Sequence, residues 1–192
     1  MLDRRVLLGL FACLAALPAC ADDSDEAIAV VRKLQDSQLD VLRQGANMTL
    51  RQRFDVLRPA LGAAFDLEGM AKLAHGPGFD ALAAAERDDW VKAFGDYVAA
   101  NYAQRFEFVQ AKGFGEAIAE TRAGGLVVSA KMLQVAGEPM AIDYVIKATP
   151  QGWRIGDILA NGSISELTQW RRVLRGLSLA DLRQRAEHLL EP

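Results

Sequence analysis

The chain has 192 residues, of which 51% are hydrophobic. This composition predicts one folded domain with a sizeable core and excludes a disordered chain. The 22 basic and 25 acidic residues give a formal net charge of -3, which argues against a nucleic-acid-binding protein, because such proteins usually carry a basic surface.

The N-terminal residues 1–21 have the organisation of a secretory signal peptide. The positive pair Arg4-Arg5 precedes an apolar run, residues 6–17, that is too short to span a bilayer. Ala19 and Ala21 then fit the small-x-small pattern of a cleavage site. We therefore expect cleavage after Ala21, export to the periplasm, and a single domain over residues 22–192.

Both cysteines of the chain, Cys13 and Cys20, lie in this N-terminal segment. The run Leu17-Pro18-Ala19-Cys20 also resembles a lipobox, so a lipid anchor at Cys20 is an alternative to release as a soluble protein. In either case the domain has no disulfide and no thiolate metal site. No later stretch is long and apolar enough to cross a membrane.

The first half of the domain is predicted to be helical. Apolar residues at helical spacing predict a first helix that follows the acidic run 22–25 and ends near Gly45. The sequence Thr49-Leu-Arg-Gln52 predicts a capping box for a second helix. That helix is expected to end near Pro59, because proline restricts the residue before it. Asp66 is the expected cap of a short third helix.

The longest helix is predicted from Ala84 to Val109. Large apolar side chains recur along it at steps of four residues, which places them in one stripe along the helix; they are Trp90, Phe94, Val98, Tyr102 and Phe106. Such a stripe is either ordinary core or the wall of an apolar cavity, and periodicity does not separate the two.

Short segments rich in β-formers follow, with turn residues between them. They are residues 117–121, 125–134, 140–148 and 152–160. Their spacing predicts an antiparallel meander. A helix starting near Ile164 and another capped by Ser178 close the chain. The predicted class is therefore α+β: a curved antiparallel sheet of about four strands, with N-terminal helices, one long central helix and C-terminal helices that together enclose an apolar pocket.

An acid and a tyrosine on the sheet permit one enzymatic interpretation. Small cone-shaped α+β folds can hold an Asp base and a Tyr donor in an apolar pocket, as ketosteroid isomerases do. Tyr144 and Asp157 are the candidates, since strand alternation places Asp157 on the inner face with Ile155 and puts Ile158 on the other face. Asp143, adjacent to Tyr144, points to the opposite face. The alternative for Asp157 is a structural hydrogen bond.

Motifs for other chemistry are missing from the sequence. There are only two histidines, His75 and His188, and they are far apart in the chain. No G-x-S-x-G motif and no phosphate-binding glycine loop is present. We therefore expect no metal site and no cofactor.

Three segments resemble one family in their order and spacing: residues 63–79, 94–106 and 142–167. They are similar to the MlaC or toluene-tolerance family of periplasmic lipid carriers. The step Gly162-Ser163-Ile164-Ser165 after the last strand resembles the hopanoid-associated branch of that family, HpnM.

The resemblance implies a non-enzymatic lipid-binding protein with a deep apolar cavity. It implies a shuttle that carries a hopanoid or a phospholipid between transporter complexes of the inner and outer membranes, with no nucleic-acid partner. The lipid-binding surface is then expected from the helix stripe, the strand faces and apolar residues of the shorter helices. Its expected members are Phe65, Met70, Leu73, Phe94, Val98, Tyr102, Phe106, Val128, Ala130, Met132, Ile142, Tyr144, Ile146, Ile155 and Leu167.

Overall fold

A computed structural model describes residues 19–191. The helices are α1 (Ala19–Gln44), α2 (Leu50–Ala64), α3 (Leu67–His75), α4 (Ala84–Arg105), α5 (Glu166–Leu174) and α6 (Leu179–His188). The strands are β1 (Ala111–Phe114), β2 (Ile118–Arg122), β3 (Gly125–Gln134), β4 (Met140–Thr149), β5 (Gly152–Ala160) and β6 (Ile164–Ser165). Across this described range, no helix is both long and apolar enough to cross a membrane. The predicted signal peptide lies almost entirely outside the described residues.

The strands form one antiparallel, curved and unclosed sheet, which confirms the predicted class. β3, β4, β5 and β6 follow one another across it. β1 and β2 share the other side of β3: Ala111 pairs with Gln134 at one end, and Arg122 pairs with Gly125 at the other. The predicted meander of four strands is thus present, and the short strands β1 and β6 extend it.

The predicted helix caps are confirmed, because each supplies an acceptor to amides that have no partner within the helix. In the capping box of α2, the backbone amide of Thr49 donates to the Gln52 side chain at 2.8 Å. Asp66 accepts from the amide of Gly69 at 3.0 Å at the start of α3. Ser178 caps α6. These contacts fix where the chain enters each helix.

The predicted end of the second helix is wrong, since α2 continues through Pro59 to Ala64. A proline inside a helix costs roughly 3 kcal/mol, because it lacks the amide hydrogen and its ring crowds the preceding turn. Leu57 and Leu61 on either side of it are almost fully buried. Burial of each such side chain contributes about 1.5–3 kcal/mol, so tertiary packing offsets the local cost while Pro59 itself faces solvent.

The central helix α4 is shorter than predicted and ends at Arg105 rather than Val109. After Arg105 the backbone forms tighter turns, in which the amides of Glu107 and Phe108 donate to carbonyls three residues back. The chain then joins the sheet, since the amide of Val135 donates to the carbonyl of Gln110 at 3.0 Å, just before β1. The apolar stripe of α4 is buried up to Tyr102, and Phe106 is half-buried. Alanines on other sides of α4 are buried too, because α2, α3 and α6 surround it.

A β-bulge in β5 overturns the predicted faces of that strand. Ile155 pairs with Ile146, but Asp157 pairs with Val145, so one extra residue, Gly156, enters β5 at this point. Because neighbouring residues of β4 point to opposite faces, Ile155 and Asp157 do as well. Ile158 pairs with Tyr144 and returns to the inner face. Simple alternation had predicted the reverse for both Asp157 and Ile158.

Candidate functional site

A cavity of about 400 Å³ lies between the inner face of the sheet and the C-terminal end of α4. The sheet contributes apolar side chains from β3, β4 and β5, namely Met132, Met140, Ile142, Ile158 and Ala160. Phe106, Phe108 and Val109 contribute from the segment after α4, and Phe114 from β1. The lining is therefore mainly hydrocarbon and aromatic, as in most small-molecule sites.

The local folding of β3 and β4 explains why these side chains meet. Met132 pairs with Met140, and Ala130 pairs with Ile142 across the two strands. Paired residues share a face, so alternate residues of both strands face the helices. The intervening residues, such as Lys131 and Ala141, are exposed on the outer face.

A polar group of three residues forms one part of the cavity wall. The Tyr102 hydroxyl donates to the Glu166 carboxylate at 2.7 Å, and Arg105 donates to the same carboxylate at 2.5 Å. The Arg105 guanidinium also lies 4.6 Å from the centre of the Tyr102 ring. Burial, and then the negative charge of Glu166, raises the pKa of Tyr102 well above its usual value. The hydroxyl thus remains a donor that holds the carboxylate in place.

The same polar group borders a second, more polar groove. This groove of about 430 Å³ lies between α4 and α5, and Arg105, Phe108 and Glu166 line it as well as the cavity. Asn101 and Gln169 provide amides on its two sides. The apolar cavity and the polar groove therefore meet at the Arg105–Glu166 ion pair.

Two glutamines of α1 add polar groups to the inner side of the cavity. Gln35 donates to the Tyr144 hydroxyl at 3.2 Å, and burial raises the pKa of Tyr144 above its usual value. Gln38, one turn further along α1, lines the cavity and is only 4% exposed. Neither glutamine was predicted from the sequence as part of a site. A signal was present, because both lie on the apolar face of α1, beside Leu34 and Val41.

The structure distributes the expected lipid-binding residues over three environments. Five line the cavity: Tyr102, Phe106, Met132, Ile142 and Tyr144. Nine are buried in the packed core: Phe65, Met70, Phe94, Val98, Val128, Ala130, Ile146, Ile155 and Leu167. Leu73 is 53% exposed on α3. The role of all of them in lipid binding stays a prediction, and the cavity adds residues that were not expected, including Gln38 and Phe114.

The structure does not bring together the pair proposed for catalysis. Tyr144 faces the cavity, whereas Asp157 lies on the other face of the sheet because of the bulge at Gly156. Asp157 accepts hydrogen bonds from the Ser165 hydroxyl at 2.6 Å and from the Leu167 amide at 3.0 Å. It therefore fixes the start of α5 to β5, which is the structural role considered for it above.

Asp143 also lies outside the cavity, as predicted from its position next to Tyr144. It accepts from Arg122 and from Ser129, each at 2.6 Å. Burial on its own would raise the pKa of Asp143, but these hydrogen bonds and the charge of Arg122 outweigh burial and lower it. Asp143 is thus an ionised partner on the outer face. Within residues 19–191, no cluster of three or more His, Cys, Asp or Glu side chains could hold a metal ion.

Comparison with a solved structure supports the same fold. The chain is similar to a phospholipid-binding protein from Ralstonia solanacearum, whose structure was determined in complex with a phospholipid. The two superpose with a TM-score of 0.66 at 18% sequence identity, over 86% of this chain and 99% of that chain. A search of curated proteins gave no significant match.

Comparison with protein families gives a match over most of the chain. The profile of the family described as MlaC protein matches residues 32–177. This span includes all of the strands and every residue that lines the cavity. The chain therefore belongs to the MlaC protein family.

Proposed function

We propose that the protein is a periplasmic carrier that binds one lipid in the cavity and shuttles it between complexes of the inner and outer membranes. The observation that carries this proposal is the cavity itself, because its wall of sheet and aromatic residues can shield hydrocarbon from water. Membership of the MlaC family supports the proposal.

The cost of exposing a lipid explains why a carrier needs such a cavity. Each methylene group released into water costs about 0.8 kcal/mol. Bilayer hydrocarbon is already apolar, so transfer from a membrane into an apolar cavity is close to neutral. Such a transfer needs no nucleotide, and the direction of movement has to come from the membrane complexes. The acidic balance of the chain argues against strong unaided adsorption to anionic membranes.

The size of the cavity limits what it holds in this form. At about 30 Å³ for each water-sized group, 400 Å³ accommodates about a dozen methylene groups, which is most of one acyl chain. A complete two-chain or polycyclic lipid needs more room. We propose that residues 106–110 move outward on binding, because four of the five line the cavity and the segment lies outside the helices and strands.

Two lipid classes fit the proposal. A phospholipid is favoured by the similarity to the phospholipid-binding protein of Ralstonia solanacearum. A hopanoid is favoured by the Gly162-Ser163-Ile164-Ser165 step, which resembles the HpnM branch. The two classes differ in mass and in extractable chemistry, so one experiment distinguishes them.

That experiment is native mass spectrometry of the full chain expressed in its own host and isolated from the periplasmic fraction, followed by solvent extraction. We expect one lipid bound per protein, and its mass identifies the class. Ala160→Phe, which fills the cavity, should lower lipid occupancy. Ala141→Phe on the outer face of β4 is the matched control and should not. An empty protein that also takes up neither lipid from vesicles would refute the proposal.

A further inference from the structure

The cavity contains a polar side chain whose hydrogen-bonding capacity is unused. Gln38 is 4% exposed and lines the cavity. Within residues 19–191 its amide has no hydrogen-bond partner. Among the described side chains, only Nδ1 of His75 is both without a partner and fully enclosed. The Gln38 amide is not enclosed in this way and keeps some accessible surface. The Gln38 amide is therefore available to a molecule inside the cavity.

A second donor, the hydroxyl of Tyr144, lies near this amide. Gln35 and Gln38 are one turn apart on the same face of α1, and Gln35 donates to the Tyr144 hydroxyl at 3.2 Å. The O–H of Tyr144 itself has no acceptor among the described residues, and Tyr144 lines the cavity. Because burial raises its pKa, Tyr144 stays protonated and able to donate.

We infer that Gln38 and Tyr144 bind an oxygen atom of the lipid inside the cavity. The inference rests on the proposed function and specifies its ligand: a lipid that places a hydrogen-bond acceptor, an ester carbonyl or a hydroxyl, within the apolar part of the site. A purely hydrocarbon ligand would leave a buried amide without a partner, which is unfavourable. The contact also sets how deeply the lipid enters.

The two lipid classes offer the same chemistry from different sources. In a diacyl phospholipid the acceptor is the ester carbonyl where the chain joins glycerol. In a polycyclic triterpenoid it is a hydroxyl on the ring system or side chain. A probe that lacks this carbonyl or hydroxyl but keeps the hydrocarbon shape isolates the contact.

The test uses the delipidated full-length protein and two matched pairs of probes. One pair is diacyl phosphatidylcholine and its dialkyl ether analogue with equal chains. The other is a hydroxylated pentacyclic triterpenoid and its dehydrated alkene. Affinities are measured by displacement of a fluorescent lipid. We expect the wild type to bind the carbonyl-bearing or hydroxyl-bearing member of one pair about five- to tenfold more tightly, the equivalent of one net hydrogen bond, and that pair identifies the source.

Gln38→Leu should remove this preference, while Met132→Leu, which changes another lining residue without a hydrogen-bonding group, should retain it. Gln38→Met provides a second variant of similar size in case the first one folds poorly. Equal preference in the wild type and in both Gln38 variants would overturn the inference and leave the carrier function intact. Failure of the wild type to bind any of the four probes would instead refute the carrier function, and the inference with it.

Discussion

The hydroxyl of Tyr102 and the carboxylate of Glu166 are joined by a hydrogen bond of 2.7 Å across a sequence separation of 64 residues. This bond connects the end of the central helix to the first residue of α5, on either side of the sheet sequence. The carboxylate is well buried, and Arg105 is its other partner. The contact thus holds the polar part of the cavity wall together.

Removal of that hydroxyl should destabilise the fold. In Tyr102→Phe the buried carboxylate loses one donor, and hydrogen bonds to charged groups contribute about 1.5–3 kcal/mol. We expect the free energy of unfolding in urea to fall by about that amount. Tyr97→Phe is the control, because Tyr97 is buried in the same helix and its hydroxyl has no partner among the described residues. Equal losses in the two variants would contradict this role.

Alkaline pH should unfold the protein through its buried tyrosines. The pKa values of Tyr102 and Tyr144 are raised in the folded state, chiefly by burial, so above pH of about 10 the unfolded chain loses these protons first. Their stabilising effect is complete below that pH and decreases as pH rises, by about 1.4 kcal/mol per pH unit for each tyrosine. The free energy of unfolding can be measured in urea at several values between pH 9 and pH 11. Above pH of about 10 it should fall less steeply with pH in Tyr144→Phe than in the wild type, because one proton fewer is released on unfolding. The same pH dependence in Tyr144→Phe and the wild type would contradict this effect of Tyr144.

Asp157 should matter for stability and not for ligand binding. Asp157→Ala removes the acceptor of the Leu167 amide and of the Ser165 hydroxyl, and loss of such a contact at a helix start costs about 1–2 kcal/mol. Lipid occupancy of the folded variant should equal that of wild type, since Asp157 lies on the face away from the cavity. Ser178→Ala, which removes the cap of α6, gives a comparison of similar size. Loss of lipid at unchanged stability would place Asp157 in the binding site after all.

Residues 106–110 should become more ordered when a lipid is bound. Four of their side chains, those of Phe106, Phe108, Val109 and Gln110, line the cavity. Phe108 is 77% exposed in this form, so contact with bound hydrocarbon should stabilise the segment. Hydrogen–deuterium exchange of the lipid-loaded and delipidated protein should show slower exchange in this segment on loading. Residues 79–81, which precede the N-terminal end of α4 and do not line the cavity, serve as the internal reference. Unchanged exchange at 106–110 would mean that the lipid enters elsewhere.

The mass of the exported protein tests the N-terminal predictions. Cleavage after Ala21 gives a chain that begins at Asp22, without added mass. Processing at Cys20 gives a chain that begins with that cysteine and carries lipid. Intact mass spectrometry of the protein from periplasmic and membrane fractions separates the two forms. A chain that retains residues 1–21 would contradict both.

Local signals accounted for most of the fold. The capping box at Thr49 and the cap at Asp66 depend on residues three positions apart, so the sequence displays them directly. Alternation in β3 and β4 likewise predicted which side chains face inward, including Met132 and Ile142. Pro59 was misjudged because packing, which acts over long sequence separations, outweighed a local rule.

The site was harder to predict because its geometry depends on single-residue shifts and distant contacts. One inserted glycine in β5 moved Asp157 to the opposite face, and a glycine inside a strand is only a weak indication of a bulge. The pairing of Arg105 with Glu166 joins two helices that no local pattern relates. Gln38 was not predicted because the spacing of apolar residues identifies a buried face but gives no role to a polar residue within it.

The division of one sheet edge between β1 and β2 has a mechanical consequence. β1 has four residues, its register is interrupted between Ala111 and Gly113, and it pairs with the end of β3 nearest the cavity. β2 pairs with the other end of β3 over five residue pairs in unbroken register. The Gly115 amide, directly after β1, donates to the Lys131 carbonyl of β3 at 2.8 Å. Local opening of β1 would widen the cavity at Phe114 while β2 keeps its own hydrogen bonds to β3.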